Sequence, residues 1–125
     1  MLVLMVEINL FKSSPDAYEV EAGTALFTEG EPGDVMYAVI EGQIDVTLGG
    51  QVVEQVGPGG ILGELALIDA SPRAATATAG VRSRVTRVDQ KHFMFLVQEH
   101  PTFAIQVMAV MADRLRHANE ARSSS

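Results

Sequence analysis

Short apolar segments separated by turn residues occupy the first two-thirds of the chain. Seven of these segments are rich in β-forming residues: 18–21, 25–28, 35–40, 43–48, 51–56, 74–79 and 84–88. Between two of them, Gly49-Gly50 has the pattern of a two-residue hairpin turn. Strands repeated at about eight to twelve residues indicate a sandwich, a barrel or a roll.

The hydrophobic pattern changes to a helical period in the last third. Asp89 is a good N-cap for a helix over 89–99, and Pro101 both ends that helix and can begin a second one over 102–121. Two apolar stripes run along the second helix. The first contains Ile105, Met108, Ala112 and Leu115, and the second contains Phe103, Val107, Val110 and Met111. One stripe can pack on the strands, whereas the other requires a partner helix, a bound base or a place in the core.

Length and composition indicate an ordinary globular protein. The 125 residues are 47% hydrophobic and 20% charged, which suits one domain over 1–125 with a β-roll at about 15–88. Without cysteine there is no disulfide, no thiol nucleophile and no cysteine-bound metal, and the composition is compatible with a cytoplasmic protein. The apolar residues 1–6 are too few for a signal peptide or a membrane span, so we expect no membrane contact.

Charge is distributed unevenly along the chain. The net charge is −7, and residues 1–69 contain twelve acids and one base, whereas residues 70–125 contain four acids and eight bases. An acidic first half argues against nucleic-acid binding by the whole surface. Only ten residues follow Leu115, so we expect that this chain alone does not recognise DNA.

Residues 59–76 carry the strongest chemical signal. Gly63 precedes a short apolar segment, 65–68, which is long enough for about one and a half helical turns. Glycine lets a phosphate approach the backbone, and Arg73 offers a planar, permanently charged fork to phosphate oxygens. Glu64 would repel a phosphate but can accept a hydrogen bond from a sugar hydroxyl. The run therefore suits a small ligand with a phosphate and a sugar, although each residue alone would be an ordinary surface acid or cation.

This run resembles the phosphate-binding cassette of cyclic nucleotide-binding domains. The matching segments are Gly63-Glu64-Leu65-Ala66-Leu67 and Pro72-Arg73-Ala74-Ala75-Thr76. Residues 26–34, 37–46, 97–101 and 114–116 also look like motifs of that family, so the resemblance covers about residues 10–120. It implies a mainly β protein: an eight-stranded, jelly-roll-like β-roll with a short phosphate-binding helix and two C-terminal helices. It also implies cytoplasmic second-messenger sensing.

The resemblance also implies roles for individual residues. Glu64 would bind the ribose 2′-hydroxyl and Arg73 the cyclic phosphate, within a cradle formed by Leu62, Gly63, Leu65, Ala66, Ala74 and Ala75. Members that prefer cyclic GMP usually have Thr or Ser directly after the arginine, so Ala74 predicts a preference for cyclic AMP. Candidates for covering the base are Met111, Arg114, Leu115 and His117. The nucleotide would be a ligand, with no cofactor, no metal and no enzymatic reaction.

The expected mechanism is a ligand-dependent movement of the last helix. Nucleotide would order residues 63–68, repack the hinge near Leu96-Val97 and shift the helix that begins at Pro101. An unknown effector protein would respond, and the second apolar stripe of the last helix would allow a homodimer. The main alternative is an interaction or dimerisation module with a vestigial pocket or a different ligand.

Two further alternatives depend on histidine. A metal-dependent cupin would need clustered histidines on strands, and a haem sensor would need one as an iron ligand. His92, His100 and His117 all fall in the helical third, which argues against the cupin.

Overall fold

A computed structural model describes residues 2–3 and 7–123, with side chains for residues 7–120. Within them are nine strands and three helices. In chain order these are β1 Leu2–Val3, β2 Tyr18–Val20, β3 Ala25–Phe27, β4 Val35–Glu41, β5 Ile44–Leu48, β6 Gln51–Val56, β7 Ile61–Leu62, α1 Leu65–Ile68, β8 Thr76–Ala79, β9 Ser83–Asp89, α2 Gln90–Glu99 and α3 Pro101–Ser123.

The strands form two facing sheets, one with the order β1-β6-β5-β8-β3 and the other with the order β2-β9-β4-β7. The eight strands β2–β9 pair antiparallel, which confirms the expected β-roll with C-terminal helices. Strand β1 adds a parallel edge beside β6, with Leu2 opposite Glu54. The sequence pattern missed β1 and β7 because two residues are too few to show a period. Residues 1 and 4–6 of the apolar start lie outside the described part.

Strand β4 separates two hydrophobic cores. Because successive side chains point to opposite faces of a strand, Met36 and Ala38 pack with the helices, whereas Tyr37 and Val39 pack between the two sheets. The helical core also contains Leu67 from α1, Leu96 from α2 and Phe103, Val107 and Val110 from α3. The three helices are therefore joined to the roll through one continuous apolar cluster.

The two stripes of α3 differ in burial. Phe103, Val107 and Val110 are at most 2% exposed, whereas Ile105 and Leu115 are each 63% exposed and Met108 is 53% exposed. The second predicted stripe therefore packs on the roll, and the first faces outward. At the start of α2, Asp89 is the N-cap, as predicted: its side chain accepts a hydrogen bond from the backbone N–H of His92 at 2.8 Å.

Candidate functional site

A pocket of about 310 Å³ lies where α1 and the loop that follows it meet β6 and α3. All eight residues that the sequence analysis assigned to the site line it: Leu62, Gly63, Glu64, Leu65, Ala66, Arg73, Ala74 and Ala75. Six further residues complete the lining: Phe27, Val46, Glu54, Ser71, Pro72 and Arg114. Of the four candidates for covering a base, Arg114 alone is among the lining residues.

Arg73 is held in the wall of the pocket by uncharged groups. Its NH2 donates to the carbonyl of Val35 at 2.8 Å, and its NH1 donates to the carbonyl of Gly63 at 3.2 Å. The guanidinium carbon lies 4.3 Å from the centre of the Phe27 ring, within cation–π range. The residue is 7% exposed, and its Nε is buried without a hydrogen-bond partner. One N–H donor of a buried cation is therefore unsatisfied.

Two glycines make room for this guanidinium. A Cβ atom at Gly33 would overlap Nε of Arg73, and a Cβ at Gly63 would lie 2.6 Å from NH1. Gly63 also has φ +77°, a conformation that residues with a side chain rarely adopt. A side chain at either position would therefore displace the guanidinium of Arg73 from its place in the pocket wall.

No carboxylate pairs with Arg73 among the side chains of residues 7–120. Burial lowers the pKa of Arg73, and electrostatic interactions with Tyr37, Asp34 and Glu31 oppose this shift. Arginine nevertheless keeps its proton in proteins. Arg73, Phe27, Gly33 and Gly63 are named below the Arg73 group. Its positive charge forms no ion pair with a described carboxylate.

A second arginine reaches the pocket from α3 and is fully paired. Nε of Arg114 donates to Oε1 of Glu54 at 3.0 Å, and NH2 donates to Oε2 of Glu54 at 2.8 Å and to the carbonyl of Ile61 at 2.6 Å. NH1 donates to Oε1 of Glu64. Glu54 is 7% exposed and Glu64 is 4% exposed. Arg114, Glu54 and Glu64, named below the Arg114 group, join α3 to the floor of the pocket.

The carboxylates outweigh the effect of burial on the pKa of Arg114. Burial by itself would lower the pKa of this guanidinium, but the hydrogen bonds to Glu54 and the negative charges of Glu64 and Glu54 raise it. The sequence analysis did not find Glu54 or its link to Arg114. One signal was available, since Glu54 lies in the alternating phase of Val52 and Val56 on β6, where an apolar residue is expected.

Two backbone N–H groups of the short helix α1 already donate to carbonyls at its own start. The N–H of Ala66 donates to the carbonyl of Gly63 at 3.3 Å, and the N–H of Leu67 donates to the carbonyl of Glu64 at 3.0 Å. Glu64 occupies the N-cap position without a side-chain capping bond. Its carboxylate is therefore directed to Arg114 rather than to the helix.

The histidines do not form a site. His92 lies on α2, His100 follows it and His117 lies on α3. Within the described part of the chain, no group of three or more His, Cys, Asp or Glu residues could hold a metal ion. Residues 2–3 and 7–123 also contain no helix with the length and apolar character required to cross a bilayer.

Comparison with known proteins gives consistent relatives. The family model "Cyclic nucleotide-binding domain" matches residues 18–100. A CRP-like cAMP-activated global transcriptional regulator of Mycobacterium tuberculosis is 30% identical over 102 residues, which cover 78% of this chain and 46% of that protein. The chain thus spans about half the length of the curated relatives it matches.

Solved structures agree with this comparison. The catabolite activator protein of Thermus thermophilus superposes with a TM-score of 0.76 at 28% identity, covering 86% of this chain and 53% of that one. A structure described as "A cyclic-GMP-dependent signalling pathway regulates bacterial phytopathogenesis" has a TM-score of 0.73 at 31% identity, covering 94% of this chain and 98% of that one.

Proposed function

The chain belongs to the cyclic nucleotide-binding domain family, and we propose on that premise that it senses cyclic AMP in preference to cyclic GMP. In this proposal, the cyclic phosphate binds at the Arg73 group and the ribose 2′-hydroxyl binds at Glu64. Binding changes the position of α3, which transmits the signal to an effector protein in the cytoplasm.

Membership of the family confirms the coarser part of the sequence interpretation. The domain is a non-catalytic, cyclic nucleotide-sensing regulatory module, and in this family the nucleotide is a ligand rather than a cofactor. The choice of nucleotide, the residues that contact it and the helix movement are the proposed part.

The unpaired charge of Arg73 is the observation that carries the proposal. A buried charge without a partner is strongly unfavourable, so proteins pair such charges or use them to bind ligands. Arg73 has two carbonyl acceptors, an aromatic ring and one unsatisfied N–H, but no carboxylate among the described side chains. A bound phosphate would supply the missing anion and an acceptor for Nε.

The preference for cyclic AMP is based on Ala74. This residue lines the pocket directly after Arg73, and its methyl group has no hydroxyl to offer a guanine amino group. Cyclic GMP is the relevant competitor, because one similar structure comes from a cyclic-GMP-dependent pathway. The two nucleotides would compete for the same pocket, so the preference is the ratio of their dissociation constants.

Coupling to α3 is supported by packing around α1. Leu67 belongs to the same buried cluster as Leu96 of α2 and Phe103 of α3. The side-chain amide of Gln90, the first residue of α2, also donates to the carbonyl of Leu67 at 3.3 Å. A shift of α1 on phosphate binding would therefore change contacts that α2 and α3 share. Identical amide exchange over residues 89–120 with and without saturating cyclic AMP would contradict this coupling.

Calorimetric titration tests the proposal directly. Wild-type protein, Arg73→Leu and the control Arg84→Leu are each titrated with cyclic AMP and cyclic GMP; Arg84 is an exposed arginine on β9. We expect micromolar or tighter binding of cyclic AMP, weaker binding of cyclic GMP, loss of both in Arg73→Leu and no change in the control. Binding that survives in Arg73→Leu, or a folded wild-type protein that binds neither nucleotide, would contradict the proposal. Tighter binding of cyclic GMP would overturn the stated preference alone.

A second candidate function is association through α3. Ile105, Met108 and Leu115 are more than half exposed, and they repeat at helical spacing along one face. We therefore keep a homodimer, or an interaction module, as the alternative. Light scattering of the wild type and of the double variant Ile105→Lys, Met108→Lys tests whether the protein forms this dimer. A dimer that the variant abolishes supports association, whereas a monomeric wild type contradicts the dimer.

A further inference from the structure

The two sides of the Arg114 guanidinium have different partners. On one side, Nε and NH2 donate to both oxygens of Glu54, and NH2 also donates to the carbonyl of Ile61. On the other side, NH1 meets one oxygen of Glu64. The bidentate interaction, which is the stronger geometry for an arginine and a carboxylate, is thus made with Glu54 and not with Glu64.

We propose that Glu54 is a positioning residue for the ribose contact: it retains the Nε and NH2 side of Arg114, so that Glu64 stays able to accept a ribose hydroxyl. The proposal depends on the proposed function and adds a residue to it. Arg114 would still hold α3 against the pocket, but it would not occupy both oxygens of Glu64.

Glu54 is well placed for this role because its strand is fixed on both sides. In the five-stranded sheet, β6 lies between β1 and β5, and Glu54 is opposite Leu2 on one neighbour and Val46 on the other. The register shifts between Val46 and Thr47, next to this position. Side chains on paired strands are held more accurately than side chains on loops.

The role follows from what Arg114 would do without Glu54. Its planar fork matches the two oxygens of any nearby carboxylate, and Glu64 is the other buried carboxylate within reach. A bidentate pair with Glu64 would compete with a sugar hydroxyl for the same oxygens. Glu54 therefore acts through Arg114 and need not touch the ligand itself.

The ratio of the dissociation constants of 2′-deoxy cyclic AMP and cyclic AMP measures the ribose contact separately from general stability. A hydrogen bond to a charged group corresponds to roughly a 10- to 100-fold ratio, which we expect for the wild type. For Glu54→Gln we expect the ratio to fall to about threefold or less, since most of that bond is then lost. The control is Asp45→Asn on β5, where a carboxylate outside the pocket accepts from Gln43 and Gln55; its ratio should match the wild type.

Two more variants keep the test informative. Glu54→Asp retains the charge with a shorter reach, and it should reduce the ratio partly even if Glu54→Gln folds poorly. Adding Arg114→Gln to Glu54→Gln removes the competing cation and should restore the ratio. A wild-type ratio in folded Glu54→Gln and Glu54→Asp, or no restoration in the double variant, would overturn the role of Glu54 while the proposed function stands. A wild type that binds neither nucleotide would overturn both.

Discussion

Arg73 and Arg114 line the same pocket, but among the described side chains only the charge of Arg114 is balanced by carboxylates. Arg114 donates to two buried carboxylates and a carbonyl, whereas Arg73 donates to two carbonyls and leaves Nε without a partner. Burial lowers the pKa of Arg73, while the carboxylates raise the pKa of Arg114 despite its burial. The Arg114 group is complete without a ligand, and the Arg73 group is not.

Under the proposed function, this difference separates a structural role for Arg114 from a binding role for Arg73. A cation that is already paired stabilises the contact between α3 and the roll, and it contributes little attraction for an incoming anion. A cation held by carbonyls and a ring keeps its charge available to a phosphate. The comparison predicts that loss of Arg114 acts first on stability, and that loss of Arg73 acts first on affinity. Glu64 pairs with Arg114 and is also the proposed ribose contact, so its variants should act on affinity as well.

The largest expected effect on stability comes from Arg114→Ala. It would leave Glu54 and Glu64 buried and unpaired, which costs about 3–5 kcal/mol in the free energy of unfolding. Arg116→Ala is the matched control, because Arg116 is an exposed arginine two residues further along α3 and pairs with Asp113; its loss should change stability by about 1 kcal/mol or less. Urea denaturation measures both. Equal effects would show that the Arg114 group does not hold α3.

The next effect is on affinity, through Glu64→Gln. An amide is a poorer acceptor than a carboxylate, so we expect cyclic AMP to bind roughly 10- to 100-fold more weakly, the value of a hydrogen bond to a charged group. Glu41→Gln, a change at the exposed end of β4, should bind like the wild type. Fluorescence competition with a labelled nucleotide gives the comparison. Unchanged affinity in Glu64→Gln would remove this residue from the site.

A smaller effect is expected from Ala74→Thr. The added hydroxyl offers one neutral hydrogen bond to a guanine amino group, which is worth roughly 0.5–1.5 kcal/mol and should strengthen cyclic GMP binding about 2- to 10-fold. Ala74→Val has nearly the same shape without the hydroxyl and is the control. If both variants change cyclic GMP affinity equally, the effect is steric, and the explanation of nucleotide choice is wrong.

The smallest effect concerns the backbone between α1 and Arg73. Ala70 has φ +56°, and it is the one described residue other than glycine with a positive φ. Ala70→Gly should therefore raise the free energy of unfolding by about 0.5–1 kcal/mol, because glycine adopts this conformation with less strain. Ala22→Gly at an exposed position that precedes Gly23 serves as control and should not stabilise the protein. A loss of stability in Ala70→Gly would contradict the interpretation.

The short run around Arg73 was predictable from sequence because its signal is local, whereas Phe27 and Gly33 were not assigned to the site because they reach Arg73 only through the fold. Gly63, Glu64 and Arg73 fall within one short run, and glycine, carboxylate and arginine each have a chemical meaning at that spacing. The run of β-forming residues 35–40 likewise predicted a strand, and both faces of β4 are covered by apolar cores. Local order was enough where the residues that act together are neighbours in the chain.

The Arg114 group was not predictable in the same way. Arg114 lies 60 residues from Glu54 and 50 residues from Glu64, so their contact depends on how α3 docks on the roll. The two stripes of α3 are similarly apolar in sequence, and only tertiary packing decides that Phe103, Val107 and Val110 face inward. A buried glutamate on β6 was visible as an exception to the pattern, but its partner was not.

Binding of cyclic AMP compared with adenosine tests the central claim most directly, because adenosine carries no phosphate. The account predicts that the wild type binds cyclic AMP hundreds- to thousands-fold more tightly than adenosine, the equivalent of about 3–5 kcal/mol for pairing a buried charge. It also predicts that Arg73→Leu binds the two about equally. An Arg73→Leu protein that still prefers cyclic AMP by the wild-type factor would contradict the assignment of the unpaired arginine to the phosphate.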